Sequence, residues 1–400
     1  MPKAAVTCMT SRVRQQGAAG VLLVVLLAIV MVGVLVTALS GASTQNQYDA
    51  KTSPVLAVAQ KALLAYAAAH PTSPGRLPCP DIDNDGLEDC DGTANVQLGR
   101  LPWKTMGLPD LRDGSGECLW YAVSGAFKQS PITTPVNSDS NGQFTIQDNA
   151  GNIVAANVIA VVLAPGPALP GTAPRTTVGT PQCGGNTTAA AYLDAVGAVN
   201  NAAPTPSILV AGMPTDTFND RLIFITPAQF FPAVEKRVAR EIRKALLSYY
   251  NSPGANFYFP FANDYTDALF NCTPSLTRGR IPVNISAGCP GLADWAGGLP
   301  AWFANDQWNL LTYYTVAPAC TSPTPNCGGT GLLTVQTGPT TINNVQALVI
   351  EAGRRLPAQT RPSTAVADFL DGLENTNGDD VYVMQPASSS FNDTVVVVAP

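Results

Sequence analysis

From residue 15 to residue 48 no charged side chain occurs, and residues 18–39 are almost wholly apolar. As a helix rising about 1.5 Å per residue, that run is about 33 Å long, enough to cross a bilayer. Beyond it Val55, Val58, Ala62, Tyr66 and Ala69 recur at helical spacing, predicting an amphipathic helix that ends at His70-Pro71. Pro54 divides the two stretches: it kinks one long helix, or Ser53 caps a new helix with Pro54 in its first turn. A second helix opens on the capping pattern Thr226-Pro227-Ala228-Gln229 and carries Phe231, Val234, Val238, Ile242, Ala245, Leu246 and Tyr249 on one face. Shorter apolar runs at 153–163, 222–225, 345–350 and 395–398 read as strands.

The helix core Lys61-Ala-Leu-Leu-Ala-Tyr66 is echoed by Lys244-Ala-Leu-Leu-Ser-Tyr249, and further echoes follow in the same order. Gly99-Arg-Leu-Pro102 matches Gly279-Arg-Ile-Pro282, Tyr192-Leu-Asp194 matches Phe369-Leu-Asp371, and Phe218-Asn-Asp220 matches Phe391-Asn-Asp393. The shared order implies a duplication. The expected fold is α+β: residues 1–17 a leader, 18–54 a transmembrane helix and stem, then units 55–231 and 232–400, each a helix on a small antiparallel sheet.

Lys3, Arg12 and Arg14 precede the apolar run with no acid among them, and Asp49 is the first charge after it. The positive-inside rule therefore places the C-terminal bulk outside the cytoplasm. A secretory signal peptide cleaved near Ser40-Gly41-Ala42 and a plain uncleaved anchor are two readings of this segment. In the third, a short basic leader ends in Arg14-Gln15-Gln16-Gly17 and the apolar helix starts at once with Ala18-Ala19-Gly20-Val21. This third pattern resembles the leader of type IV prepilins. The resemblance implies cleavage between Gly17 and Ala18 by a prepilin peptidase, methylation of the new N-terminus, and other pilin or pseudopilin subunits as partners. It also implies a single pass through the bacterial inner membrane before assembly into a pilus or pseudopilus. Leu22 stands at the fifth mature position, where most pilins carry Glu; the large tip pseudopilins and certain minor pilins also lack that Glu. The expectation is a minor or tip subunit of a type IV pilus or a type II secretion pseudopilus, not an enzyme. An anchored adhesin and an anchored carboxylate-dependent hydrolase are the alternatives.

Charged residues make up 12% of the chain, Gly and Pro contribute 34 each, and the net charge of −6 argues against nucleic acid as a partner. Eight cysteines follow the apolar run: Cys79, Cys90, Cys118, Cys183, Cys272, Cys289, Cys320 and Cys327. The even count suggests disulfides and an oxidising compartment. Close spacing favours 79 with 90, 272 with 289 and 320 with 327, leaving 118 for 183, although spacing does not fix connectivity.

The sharpest local pattern is Asp81-Ile-Asp83-Asn-Asp85-Gly86-Leu87-Glu-Asp89. Carboxylates at alternate positions of a tight loop, with the Leu87 carbonyl, can converge on one Ca2+. The pattern resembles a thrombospondin type 3 calcium repeat and departs from an EF-hand at Gly92; a solvated acidic turn is the alternative. Asn375-Thr-Asn377-Gly378-Asp379-Asp380 is a weaker echo, read as a turn. The lone histidine, His70, sits at a helix end, and no nucleophile elbow or metalloprotease motif is present. Aromatics crowd the second unit; most suit a core, while proline-bracketed Phe257, Tyr258, Phe259 and Phe261 are the best candidates for an exposed binding surface.

Overall fold

The computed structural model describes residues 45–176, 185–321, 327 and 331–400, and divides into two compact units, residues 1–51 and 52–400. Helix α1 covers residues 45–69, of which 52–69 belong to the larger unit. The first half of that unit then carries β1 (Gln97–Arg100), β2 (Trp120–Val123), β3 (Phe144–Gln147), β4 (Ile153–Val158) and β5 (Ala160–Ala164). A small hairpin, β6 (Ala195–Val196) with β7 (Val199–Asn200), precedes β8 (Ile208–Val210) and β9 (Arg221–Ile225). Helix α2 (Pro227–Tyr250) opens the second half, followed by β10 (Arg278–Arg280), the short α3 (Ala301–Asn305) and β11 (Thr312–Val316). The chain ends with β12 (Leu333–Thr337), β13 (Thr340–Val345), β14 (Ala347–Glu351), β15 (Val381–Val383) and β16 (Thr394–Ala399).

The strands form two four-stranded antiparallel sheets, ordered β1-β2-β5-β9 and β10-β11-β14-β16. Each half adds a three-stranded sheet, β4-β3-β8 or β13-β12-β15, in which one pair is antiparallel and the other parallel. Alternation along β2 and β5 assigns the faces. Tyr121, Val123, Ala160 and Val162 join the core shared with the helices, whereas Trp120, Ala122, Val161 and Leu163 join Phe144, Ile146 and Leu209 of the smaller sheet.

The same small contacts recur in both halves. Tyr121 donates to the Pro78 carbonyl at 3.2 Å, and Tyr314 to the Pro260 carbonyl at 3.0 Å. Gln60 of α1 donates to the Phe224 carbonyl at 2.8 Å, and Arg243 of α2 to the Val397 carbonyl at 2.9 Å. Gly99-Arg100 and Gly279-Arg280 lie at equivalent places on the edge strands β1 and β10.

Helix α2 starts where its cap is satisfied, the Thr226 N–H donating to Gln229 Oε1 at 3.0 Å, with Pro227 in the first turn where no intrahelical N–H bond is lost. It buries Phe231, Val234, Val238, Ile242, Leu246 and Tyr249. Helix α1 buries Leu56, Ala59, Leu63 and Ala67, whereas Val58 of the expected stripe is 46% exposed. Both sides of α1 are small or apolar, so spacing alone does not choose a face; the leucines bury more apolar area, each worth roughly 1.5–3 kcal/mol.

One core runs through both helices and both four-stranded sheets. The buried Arg76 guanidinium, just after α1, meets Asp306, at the end of α3, at 2.6 Å. It also donates to the Ala126 and Thr134 carbonyls, while Asp306 accepts from the Ser73 hydroxyl and the Val136 N–H.

Two expectations are corrected here. The architecture is not a membrane-spanning helix followed by two units with one small antiparallel sheet each: sixteen strands in five sheets, two of them with parallel pairs, dominate the described residues. No helix among the described residues is long and apolar enough to cross a membrane, which overturns the expected single-pass inner-membrane placement. Residues 18–39, on which that placement rested, and the Gly17–Ala18 junction lie outside the described residues.

Candidate functional sites

The acidic loop is tied at both ends, because Cys79 and Cys90 form a disulfide and the Asp81 backbone pairs with Arg100 of β1. Asp81 is buried, and its two carboxylate oxygens accept the N–H groups of Asn84 (2.6 Å) and Gly86 (2.7 Å). Gly86 has φ +89°, and a Cβ there would stand 2.8 Å from the Trp103 ring, so glycine is required twice over. Oxygens of Asp81, Asp83 and Asp89 lie within 4.8 Å of one another. Asp85 is outside that group: its carboxylate caps Leu87 N–H at 2.7 Å, and its carbonyl accepts from Lys104. Burial, opposed by the two backbone donors and reinforced by Asp85 and Asp83, pushes the Asp81 carboxyl up to about 6. Three of the five expected ligands therefore converge, on a loop already largely satisfied by its own N–H groups.

Two more disulfides join Cys272 with Cys289 and Cys320 with Cys327, and Cys118 is also disulfide-bonded; Cys183 lies outside the described residues. The aromatic run does not form an exposed surface. Only Phe257 is exposed, at 51%; Tyr258 stacks edge-on against Tyr249, Phe259 is buried against Tyr250, and Phe261 is half-buried. A bridge from Phe259 to Thr321 fixes this segment as part of the wall of the second half. His70 accepts the Ser73 N–H at Nδ1 (3.1 Å), leaving Nε2 to donate to Gln129 (3.2 Å), as suits a helix end.

Each half contains a paired-aspartate knot. Asp194 N–H donates to Asp220 and Asn219 N–H to Asp194, at 2.9 and 2.8 Å. Asp371 N–H donates to Asp393 and Asn392 N–H to Asp371, at 2.7 Å each. Beside each knot two arginines flank one ring: Arg100 and Arg175 at Tyr192, Arg280 and Arg361 at Phe369. Repetition in both halves marks these as fixtures of the fold. Burial, reinforced by Asp194, pushes Asp220 up to about 8, and burial reinforced by Asp371 holds Asp393 well above the carboxylate range.

One arrangement occurs in the second half alone. Glu235 lies on the buried face of α2, accepting from the Ser138 hydroxyl (2.7 Å) and the Thr394 hydroxyl (3.5 Å). Glu351, at the end of β14, is fully buried and accepts from the Thr312 hydroxyl at 3.0 and 2.8 Å. The corresponding positions of the first half hold Thr52, Ala164 and Leu119. Burial pushes Glu235 up to about 8 and Glu351 well above its ordinary range, and the charge of Glu235 adds to the shift at Glu351. Glu235 and Asp393 line a cavity of about 400 Å³ walled by Pro227, Phe231 and Pro232. The only sequence signal for this site is an acid, Glu235, set between Val234 and Val238 on an otherwise apolar helix face.

No known protein family, curated protein or solved structure matches the chain.

Proposed function

We propose that the chain is a minor or tip subunit of a type IV pilin-like filament, with a structural and interaction role. The observation that carries this reading is the basic leader joined at Gly17 to an uncharged apolar segment, which resembles a prepilin processing site. The disulfides accord with assembly in an oxidising compartment. The reading includes prepilin peptidase and fellow pilin or pseudopilin subunits as partners. It also includes one calcium ion at the acidic loop, drawn to Asp81, Asp83 and Asp89, whose oxygens lie close together. Mass spectrometry of the mature N-terminus tests the reading: a methylated chain beginning at Ala18 is expected, and Gly17→Trp should retain the leader. A mature chain beginning near Ser43 sinks it.

A further inference from the structure

We propose that the cavity between the start of α2 and the segment 385–394 binds a small organic ammonium ion carried on an apolar stem. This inference stands on the geometry of the second half and is independent of the filament reading. The first half, built on the same strand order, serves as an internal comparison: Thr52 occupies the helix position of Glu235. The fold therefore does not need an acid there, and a carboxyl buried without a basic partner is costly. Neither Glu235 nor Asp393 pairs with an arginine or lysine among the described residues. Asp393 belongs to the knot that the first half repeats, where Asp220 Oδ1 is buried in the same way, so Glu235 is the acid peculiar to this cavity.

The walls decide the rest of the ligand. Pro227, Ala228, Phe231 and Pro232 make one side apolar, which a bare metal ion would leave unused, while Gln385, Asn392 and Thr394 add polar groups. About 400 Å³ is the size of a small-molecule site. Arg354 also lines the cavity, but its guanidinium donates to the Ser140 carbonyl at 3.2 Å and to Asn141 Oδ1. The other charged groups acting on these two acids are Asp139, Arg361, Glu351 and Asp371. Near neutral pH the raised Glu235 carboxyl keeps its proton. An entering ammonium donates its N–H groups to the carboxylate as that proton leaves to solvent, so one charge replaces another.

Calorimetric titration of the full chain with n-butylammonium tests this, with n-butanol as the neutral control of like shape. An alkylammonium, like lysine, stays charged to about pH 10. The expected result is millimolar or tighter binding of n-butylammonium at pH 8.5, n-butanol at least tenfold weaker, and an affinity that rises up to tenfold per pH unit from 6 to 8. Glu235→Gln, which keeps an acceptor for Ser138, should lose at least tenfold in affinity and lose the pH slope. Equal binding of the alcohol, no binding at pH 8.5, or an unchanged Glu235→Gln variant overturns the proposal. Should that variant fail to fold, the comparison of the two ligands on the native chain decides alone.

Discussion

At the scale of single residues, the protein concentrates its cost in a few buried acids. Asp220 and Glu235 both have folded-state values of about 8, raised chiefly by burial above ordinary values of 3.8 and 4.5. The folded state thus holds these protons more tightly than the unfolded chain. Their contribution is fully present below about pH 4 and is lost as pH rises through about 8, at up to about 1.4 kcal/mol per unit for each group. The urea midpoint should be lower at pH 8.5 than at pH 5.5, and Glu235→Gln should flatten the difference. A midpoint that rises over this window would mean that these carboxyls are ionised in the fold. None of this was legible in the sequence, where Glu235 sits among the ordinary charges of Glu235-Lys236-Arg237. Its burial follows from the sheet and the Ser138 loop that close over it, which lie far away in the chain.

At the scale of elements, α2 could be read directly, since its cap and its apolar face both agree with the sequence reading. The strand read over 153–163 is in fact two, β4 and β5, belonging to different sheets. Asn157, with φ +56°, and its counterpart Asn344, with φ +63°, sit at register shifts one residue before β4 and β13 end. Asparagine tolerates the left-handed region, so the signal was present but outweighed by the apolar run. The parallel pairs β3 with β8 and β12 with β15 left no local trace, because parallel pairing needs a long crossover. The acidic loop was legible as a tight turn from its Asp, Asn and Gly spacing, though not the use of Asp81 as a buried internal acceptor. If calcium binds there, it acts on the folded state alone and stabilises it by about 2.7 kcal/mol at a hundredfold excess over its Kd. Differential scanning calorimetry should show a higher Tm with calcium than with chelator, an increment absent in Asp83→Ala. Identical melting curves in all three cases would leave the loop a solvated turn.

At the scale of the whole molecule, the sequence echoes fall on topologically equivalent places, yet they did not reveal that the halves share a core. Leu63 and Tyr121 of one half belong to the same cluster as Ile242 and Tyr314 of the other. Across them lies the Arg76–Asp306 contact, buried on both sides. Asp306→Ala would strand a buried guanidinium and should cost about 3–5 kcal/mol. Chemical denaturation should nevertheless show one transition by both near-UV and far-UV circular dichroism, in the native chain and the variant. Two separated transitions in the native chain would show that the halves fold independently.

The three described disulfides join cysteines only 11, 17 and 7 residues apart. Each ring can close as soon as a short stretch of chain has emerged into an oxidising compartment, before distant segments have found one another. For these three bonds the order of arrival of the thiols already favours the right partner, since the entropic cost of closure is smallest for near neighbours. Reshuffling by an isomerase has little to correct at these positions. The long-range work of joining the two halves falls instead to apolar contacts and to Arg76, which need no catalyst and can be revised until the core closes.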